Sequence, residues 1–156
     1  MSCSWRARSR ARLRERSGTL DLDPNFAVAR EHLGLALSQK QMYPEAVSEL
    51  ETTRRNEPRP WTMATLGYAL AASSRTSEAL ALIEELKAQP EKQYVSPMGI
   101  ARIYIGLRRP DAAMDWLEKA YEERVDRLVW LKRDPAYDPL RANHRFQALV
   151  RRLALP

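Results

Sequence analysis

Small and large apolar residues recur along this chain every 33 or 34 positions, and this repeat constrains the fold more than any other feature of the sequence. One series consists of a large aliphatic residue followed by a small one, at Leu33-Gly34, Leu66-Gly67 and Ile100-Ala101. A second, independent series has the same two spacings and consists of Ala46, Ala79 and Ala113. A fixed period of about 20 to 50 residues is the signature of stacked structural repeats. We therefore expect three similar units that pack side by side.

Each unit predicts a pair of α-helices. Apolar residues stand three or four positions apart in two stretches separated by a polar break, which is the spacing of one face of a helix. A large aliphatic residue follows each alanine of the second series by four positions, at Leu50, Ile83 and Leu117. We expect the small residue of the first series to let the first helix of a pair approach the second closely. The predicted helices span residues 27–40, 44–56, 61–73, 76–88, 97–107 and 110–124.

The residues after the third unit predict a cap on the stack. Leu128 to Leu131, followed by Asp134-Pro135, predicts a short helix with a stop, and Asp138-Pro139 predicts a turn. A last helix then places apolar residues on one face: Phe146, Leu149, Val150 and Leu153. A helical solenoid needs such a terminal unit, because its last apolar side must be covered. We predict an all-α fold, an α-α superhelix of about three helix pairs (27–60, 60–93 and 94–124) with a C-terminal capping helix pair in residues 125–156.

These repeats resemble the tetratricopeptide repeat family, whose pattern is W-x2-L-G-x2-Y, then A-x3-F, then P, within 34 residues. The resemblance covers residues 20–124, and the family's first aromatic residue is absent from all three units. The matching positions are Leu33, Gly34, Leu37, Ala46, Leu50 and Pro58 in the first unit, Leu66, Gly67, Leu70, Ala79 and Ile83 in the second, and Ile100, Ala101, Tyr104, Ala113, Leu117 and Ala120 in the third. In the second unit the closing proline, Pro90, comes one place early, and the third unit lacks it.

The two ends of the chain suggest a piece of a larger protein. The stretch from Trp130 to Phe146 resembles the tails of repeat arrays in bacterial multidomain signalling proteins, where the repeats follow a winged-helix DNA-binding domain or a serine/threonine kinase domain. Asp23-Pro24-Asn25 stands where a preceding repeat would end, yet residues 1–19 lack the repeat pattern. The resemblance therefore implies a regulatory fragment of a bacterial protein, with residues 1–19 as a non-native or disordered leader.

The resemblance also implies a binding site. In the family, the first helices of successive pairs line a concave groove that binds an extended or helical peptide. Carried over by register, this partner-binding surface comprises Glu31, Leu35, Trp61, Ala64, Tyr68, Met98, Arg102 and Ile105, with Val28, Ser38, Ala71 and Val95 beside them. The surface is largely apolar, and its large aromatic and sulfur-containing side chains are of the kind that dominate interface energies. We expect a protein-protein interaction module, with Arg102 as a partner for an acidic group.

Two qualifications follow from the same residues. Glu31 and Leu35 stand where co-chaperones of the family carry the lysine and asparagine that capture a terminal carboxylate, so that mode of binding is not expected. Alternatively, Trp61 and Tyr68 contact a neighbouring helix or a C-terminal segment that folds back into the short groove. The sequence leaves open whether Trp61 and Tyr68 bind a partner or contact another part of this chain.

The positive charge of the chain belongs to its N-terminal tail. Residues 1–19 contain six arginines against Glu15, so they carry +5 of the formal net charge of +6. Alternating arginines on an extended tail could contact phosphates without reading sequence. Only Trp5 is available there to stack on bases. We keep nucleic-acid binding by the tail as an alternative function and expect a solvated tail instead.

The remaining residue types narrow the class of protein. The chain has two histidines, His32 and His144, and lacks a nucleophile elbow, a phosphate-binding loop and a dinucleotide fingerprint, so we expect no catalytic, metal or cofactor site. Cys3 is the only cysteine, and no apolar stretch approaches the roughly 18 residues of a membrane span. We expect a soluble, cytoplasmic protein.

An apolar edge near Phe26, Val28 and Leu33 leaves self-association as a further alternative, with the chain acting as a scaffold.

Overall fold

The computed structural model describes residues 27–89 and 93–153, and within them the chain is helical and contains no β-strand. Each of the six helices predicted for the repeats is present, with both ends within two residues of the predicted bounds. The predicted all-α fold is therefore confirmed. The helices are α1 Ala27–Gln39, α2 Tyr43–Asn56, α3 Pro60–Ala72, α4 Thr76–Lys87, α5 Pro97–Gly106, α6 Pro110–Glu122 and α7 His144–Arg152, with 3₁₀-helices at Asp126–Trp130 and Pro135–Leu140 between α6 and α7.

Some of the sequence-based predictions fall outside the described residues. These are the leader at residues 1–19, the end of a preceding repeat at Asp23-Pro24-Asn25, and the prediction that Phe26 belongs to an apolar edge. They stay predictions. In the described ranges, no helix combines the length and apolarity that crossing a membrane requires.

The turn between the two helices of a pair is repeated in all three units. The first helix ends before a residue in the left-handed backbone conformation: Gln41 (φ 59°), Ser74 (φ 66°) and Arg108 (φ 56°). In each case the next residue donates its backbone N–H to a carbonyl five residues earlier, as in the bond of 2.9 Å from Arg109 to Tyr104. This is the pattern that closes helix C-termini and satisfies their free carbonyl groups. The left-handed residues are 33 and 34 positions apart, so the backbone repeats with the period of the sequence.

The helices pack in adjacent pairs and the pairs stack in order. Helix α1 packs on α2, α3 on α4, and α5 on α6, while α3 also packs along the length of α5. The first helices of the units thus form one continuous layer, whose open side we call the inner face. Prolines in the first turn start α2, α3, α5 and α6, at positions where a missing N–H costs no hydrogen bond. The result is the predicted helical repeat superhelix.

The repeating alanines form the centre of the core. Ala46, Ala79 and Ala113 are completely buried, and so are the aliphatic residues that follow them by four positions, Leu50, Ile83 and Leu117. One cluster of buried side chains joins the first two units to part of α5, and a second joins α5 and α6 to the residues after them. Tyr104 and Trp116 pack against both clusters. The stack therefore has two core regions that meet at the third unit.

The small residues bring helices together in two different ways. A Cβ atom on Gly34 would lie 2.5 Å from the Leu50 side chain of α2, so this glycine allows close packing within its pair, as predicted. A Cβ on Gly67 would instead lie 2.5 Å from Ile103 of α5, which belongs to the next unit. For Gly67, the prediction that it faces the second helix of its own pair is wrong. Its closest neighbour is the following first helix, because α3 and α5 pack face to face.

The C-terminal residues cover the third unit. The predicted short helix is the first 3₁₀-helix, whereas the predicted turn at Asp138-Pro139 lies inside the second one. The side chain of Asn143 caps α7 by accepting a hydrogen bond of 2.9 Å from the N–H of Arg145. Arg145 then ties α7 to α6 through two bonds to Glu118 and one to Asp115.

Candidate functional site

The inner face is crossed by a segment that the repeat pattern does not contain. We call residues 125–140 the covering segment. Its start lies beside Trp61 and Ala64, its middle beside Leu35 and Met98, and its end beside Tyr68 and Ile105. The alternative in which the C-terminal residues fold back into the groove is therefore the arrangement in the structure.

Clefts lined by the described residues remain open between the covering segment and the first helices, and three of them contain predicted site residues. The Tyr94 cleft has a volume of about 230 Å³ and lies between α3 and the start of α5. The central cleft, of about 450 Å³, is lined by Leu35, Trp61, Met98, Arg102, Asp126, Arg127, Trp130, Asp134 and Tyr137. The turn cleft, of about 780 Å³, lies over the helix-pair turns next to Tyr68 and Ile105. Trp61, Asp126 and Arg127 line both of the first two clefts, which are therefore adjacent, and we call the two clefts together the groove.

Four of the eight predicted binding residues are packing residues in this arrangement. Ala64, Met98, Arg102 and Ile105 each expose 6% or less of their surface. They lie at the bottom of the clefts and are not part of an open apolar strip. The accessible surface is therefore smaller than the repeat register predicts.

The other four predicted residues are half-buried. Leu35, Trp61 and Tyr68 each line one or more of the clefts. The carboxylate of Glu31 accepts a hydrogen bond of 2.8 Å from the hydroxyl of Thr62 on α3. Glu31 thus links the first two units, and its carboxylate already has a partner.

Arg102 is the most unusual side chain of the site. Only 5% of its surface is exposed, and its Nε is buried without a hydrogen-bond partner among the described residues. The guanidinium lies 5.5 Å from the ring centre of Trp61 and 5.8 Å from that of Tyr68, and Nη1 is 3.7 Å from Asp134. Burying a charge is costly unless it is paired and hydrogen-bonded, and here the pairing is incomplete.

Neutral tyrosines surround this arginine. Burial raises the pKa of Tyr137 to about 12, and burial together with Tyr43 raises the pKa of Tyr68 above its ordinary value. Both phenols are therefore uncharged near neutral pH. Asp134 supplies the negative charge in contact with Arg102, and the aromatic rings supply cation–π contacts.

Two further residues belong to the site, Arg127 and Trp130, and neither could be predicted from the repeat pattern because both lie outside the repeat period. The Arg127 guanidinium lies over the Trp61 ring, 4.5 Å from its centre, and Arg127 is exposed. Trp130 is 57% exposed at the edge of the central cleft. The one sequence signal is that Val129 and Trp130 are adjacent apolar residues in the predicted cap. A cap should bury its apolar residues, yet both are exposed in the structure.

No group of three histidine, cysteine, aspartate or glutamate side chains in residues 27–89 and 93–153 is placed to hold an ion. Comparison with models of protein families, with curated proteins and with solved structures found no match for this chain.

Proposed function

We propose that this chain is a protein-protein interaction module that binds a peptide, or an extended segment of a partner protein, in the groove formed by the Tyr94 and central clefts. The observation that carries the proposal is an exposed tryptophan, Trp130, that lines the same cleft as Trp61, whose ring centre lies 4.5 Å from the Arg127 guanidinium. Exposed Trp and Arg side chains in a concave site are the residues that most often dominate binding energy between proteins.

The shape of the groove favours an extended chain. The two clefts are adjacent, because both are lined by Trp61, Asp126 and Arg127. Tyr94, 64% exposed, lines one cleft, and Trp130, 57% exposed, lines the other. A peptide that occupies both clefts places successive side chains in separate clefts, which is a common basis of selectivity.

The wider role is inferred from the family resemblance of the sequence. We propose that the module is a regulatory piece of a cytoplasmic bacterial protein that recruits a partner and does not itself catalyse a reaction. The repeats support this proposal because stacked helix pairs build extended binding surfaces.

A random peptide library displayed on phage tests the proposal on the folded protein. Peptides selected on the wild-type chain should bind Trp61→Ala and Trp130→Ala at least about tenfold more weakly, as the removal of an interface tryptophan usually does. Trp116→Phe is the control, because Trp116 packs against both core regions and a phenylalanine keeps part of this packing. The Trp116 ring lies on α6 near the Lys87 and Lys119 ammonium groups, 6.0 and 4.8 Å away, and it lines none of the three clefts.

The control variant should keep wild-type binding to within about twofold. Circular dichroism must show the same helix content in all the variants. Selection of no peptide, or equal loss of binding in all three variants, would count against a peptide-binding groove.

A further inference from the structure

Arg102 has hydrogen-bonding capacity that the described residues do not use. A guanidinium carries five N–H donors in a planar fork. The single carboxylate next to it, that of Asp134, uses one oxygen to accept a bond of 2.9 Å from the N–H of Ala136. The other oxygen is 3.7 Å from Nη1, which is beyond hydrogen-bonding distance. The buried charge is thus close to an anion but poorly bonded to it.

A second guanidinium faces the same space. Arg127 lies over the Trp61 ring and lines the central cleft together with Arg102. Stacking on an aromatic ring holds an arginine in place, which reduces the entropy lost when it binds an anion. The lining of the same cleft also includes the apolar residues Leu35, Met98 and Trp130. The cleft therefore combines two arginines with an apolar surface.

We propose that the central cleft binds an acidic side chain, aspartate or glutamate, within an extended peptide, with its carboxylate at Arg102 and Arg127 and a neighbouring apolar side chain against Leu35 and Trp130. This inference rests on the proposed function and names the chemistry of the partner. A guanidinium and a carboxylate form paired hydrogen bonds that are stronger than those between neutral groups. We assign the carboxylate to a side chain inside the peptide, because Arg127 lines both adjacent clefts and the peptide can extend from the central cleft toward the Tyr94 cleft.

The wall of the cleft also carries two aspartates, Asp126 and Asp134, and these limit the role of net charge. Asp126 is exposed, so water and salt screen its charge. Recognition then depends on direct contact with the two guanidinium groups, and not on a positive field around the site. Charge reversal at one arginine of the cleft should consequently have a much larger effect than the same change just outside it.

Synthetic peptides from the library selection test this inference through fluorescence anisotropy. We expect the selected peptides to share an Asp or Glu, and Arg127→Glu to weaken their binding by about tenfold or more, since a lost charged hydrogen bond has that effect. Changing the peptide's acid to Asn or Gln should weaken binding to the wild type equally, and should have little further effect on Arg127→Glu. Arg102→Lys, which keeps the charge but loses the fork, should weaken binding as well.

Arg133→Glu is the matched control, because Arg133 is exposed on the covering segment and does not line the central cleft. It should change affinity by no more than about twofold. Each peptide is measured with a free and with an amidated C-terminus, and equal affinity is expected for a side-chain carboxylate. If Arg102→Lys fails to fold, the Arg127→Glu variant and the peptide substitution decide the question.

The outcomes separate the two proposals. Peptides that need Trp61 but contain no acid, or that bind Arg127→Glu as well as the wild type, would leave the peptide-binding groove in place and overturn the acidic ligand. Affinity that depends on a free C-terminus would also overturn it, because the anion would then be the terminal carboxylate. A selection with no peptide that depends on Trp61 would overturn both proposals.

Discussion

The first helix of every repeat ends at a left-handed residue, and none of these residues is glycine. At Arg108 φ is 56°, a conformation that costs a residue with a Cβ about 1 to 2 kcal/mol relative to glycine. The side chain of Arg108 is exposed, so its replacement removes little packing. A glycine at this position relieves the backbone cost, but part of the gain in the free energy of unfolding is cancelled because glycine has more conformational entropy in the unfolded chain.

We therefore expect Arg108→Gly to raise the free energy of unfolding by about 0.5 to 1 kcal/mol in urea denaturation. The neighbouring Arg109→Gly removes the same charge at a residue with φ −110° and should give no increase. A gain of equal size in both variants would show that the relief of positive charge is responsible and not the backbone.

A second prediction at the scale of the residue concerns the contact between α3 and α5. A Cβ atom on Gly99 would lie 2.8 Å from the Cβ of Ala64, and neither atom can move without its backbone. We expect Gly99→Ala to lower the free energy of unfolding by about 1 to 3 kcal/mol, because overpacking must push the two helices apart.

Adding Ala64→Gly should recover part of this loss, although the new glycine has its own cost of about 1 kcal/mol in a helix. A double-mutant cycle of urea unfolding isolates the contact from both helix propensities. A coupling energy of zero between the two positions would contradict the close approach.

At the scale of the element, the covering segment is held by Tyr137, which is 2% exposed. Its pKa is about 12 in the folded chain and 10.0 in the absence of burial, so folding favours the neutral phenol. The contribution of the neutral Tyr137 phenol to the free energy of unfolding is therefore present in full below pH 10 and is lost as the pH rises from 10 to 12. A shift of this size corresponds to about 2 to 3 kcal/mol.

The measurement is the free energy of unfolding between about pH 8 and about pH 11.5, combined with tyrosinate absorbance. Tyr137→Phe should remove most of the fall above pH 10, whereas Tyr94→Phe, at an exposed position, should keep it. If the wild type and Tyr137→Phe lose stability in parallel, the phenol of Tyr137 is not shielded from water.

The helix pairs could be predicted from sequence because their signal is local and repeated. Ala46 and Leu50 illustrate this, since a four-residue step on one helix face fixes both the helix and its buried side. The helix that a small residue contacts is harder to predict, because it depends on residues that are distant in the sequence. Gly67 looks like Gly34 in the sequence, but it faces the next unit, because the neighbour of a helix face depends on how the units stack.

The candidate site was predictable only on the side built by the repeats. Register placed Leu35, Trp61 and Tyr68 on the inner face, and each lines a cleft there. Register could not place Arg127, which belongs to a segment with no repeat period. The burial of Arg102 has the same cause: a non-repeating segment packs across the face and changes an exposed position into a buried one.

At the scale of the whole molecule, the stack is nearly one-dimensional. Each core region involves neighbouring units, and Tyr104 and Trp116 are the partly buried side chains that pack against both regions. In such arrays, stability is approximately a sum of unit stabilities and of interfaces between neighbours. Damage at one end should consequently open that end before the rest unfolds.

Two leucine truncations at opposite ends test this behaviour by hydrogen exchange. Leu50 is completely buried between α1 and α2, and Leu149 is 2% exposed on α7. Leu50→Ala should cost about 2 to 5 kcal/mol of local stability and increase exchange in α1 and α2, while α7 keeps most of its protection. Leu149→Ala should do the reverse, with faster exchange in α7 and the covering segment. The middle of the stack, α3 and α5, should be least affected by either change, because it contacts a neighbour on both sides. Equal loss of protection throughout the chain in both variants would show that the repeats and the cap unfold as a single cooperative unit.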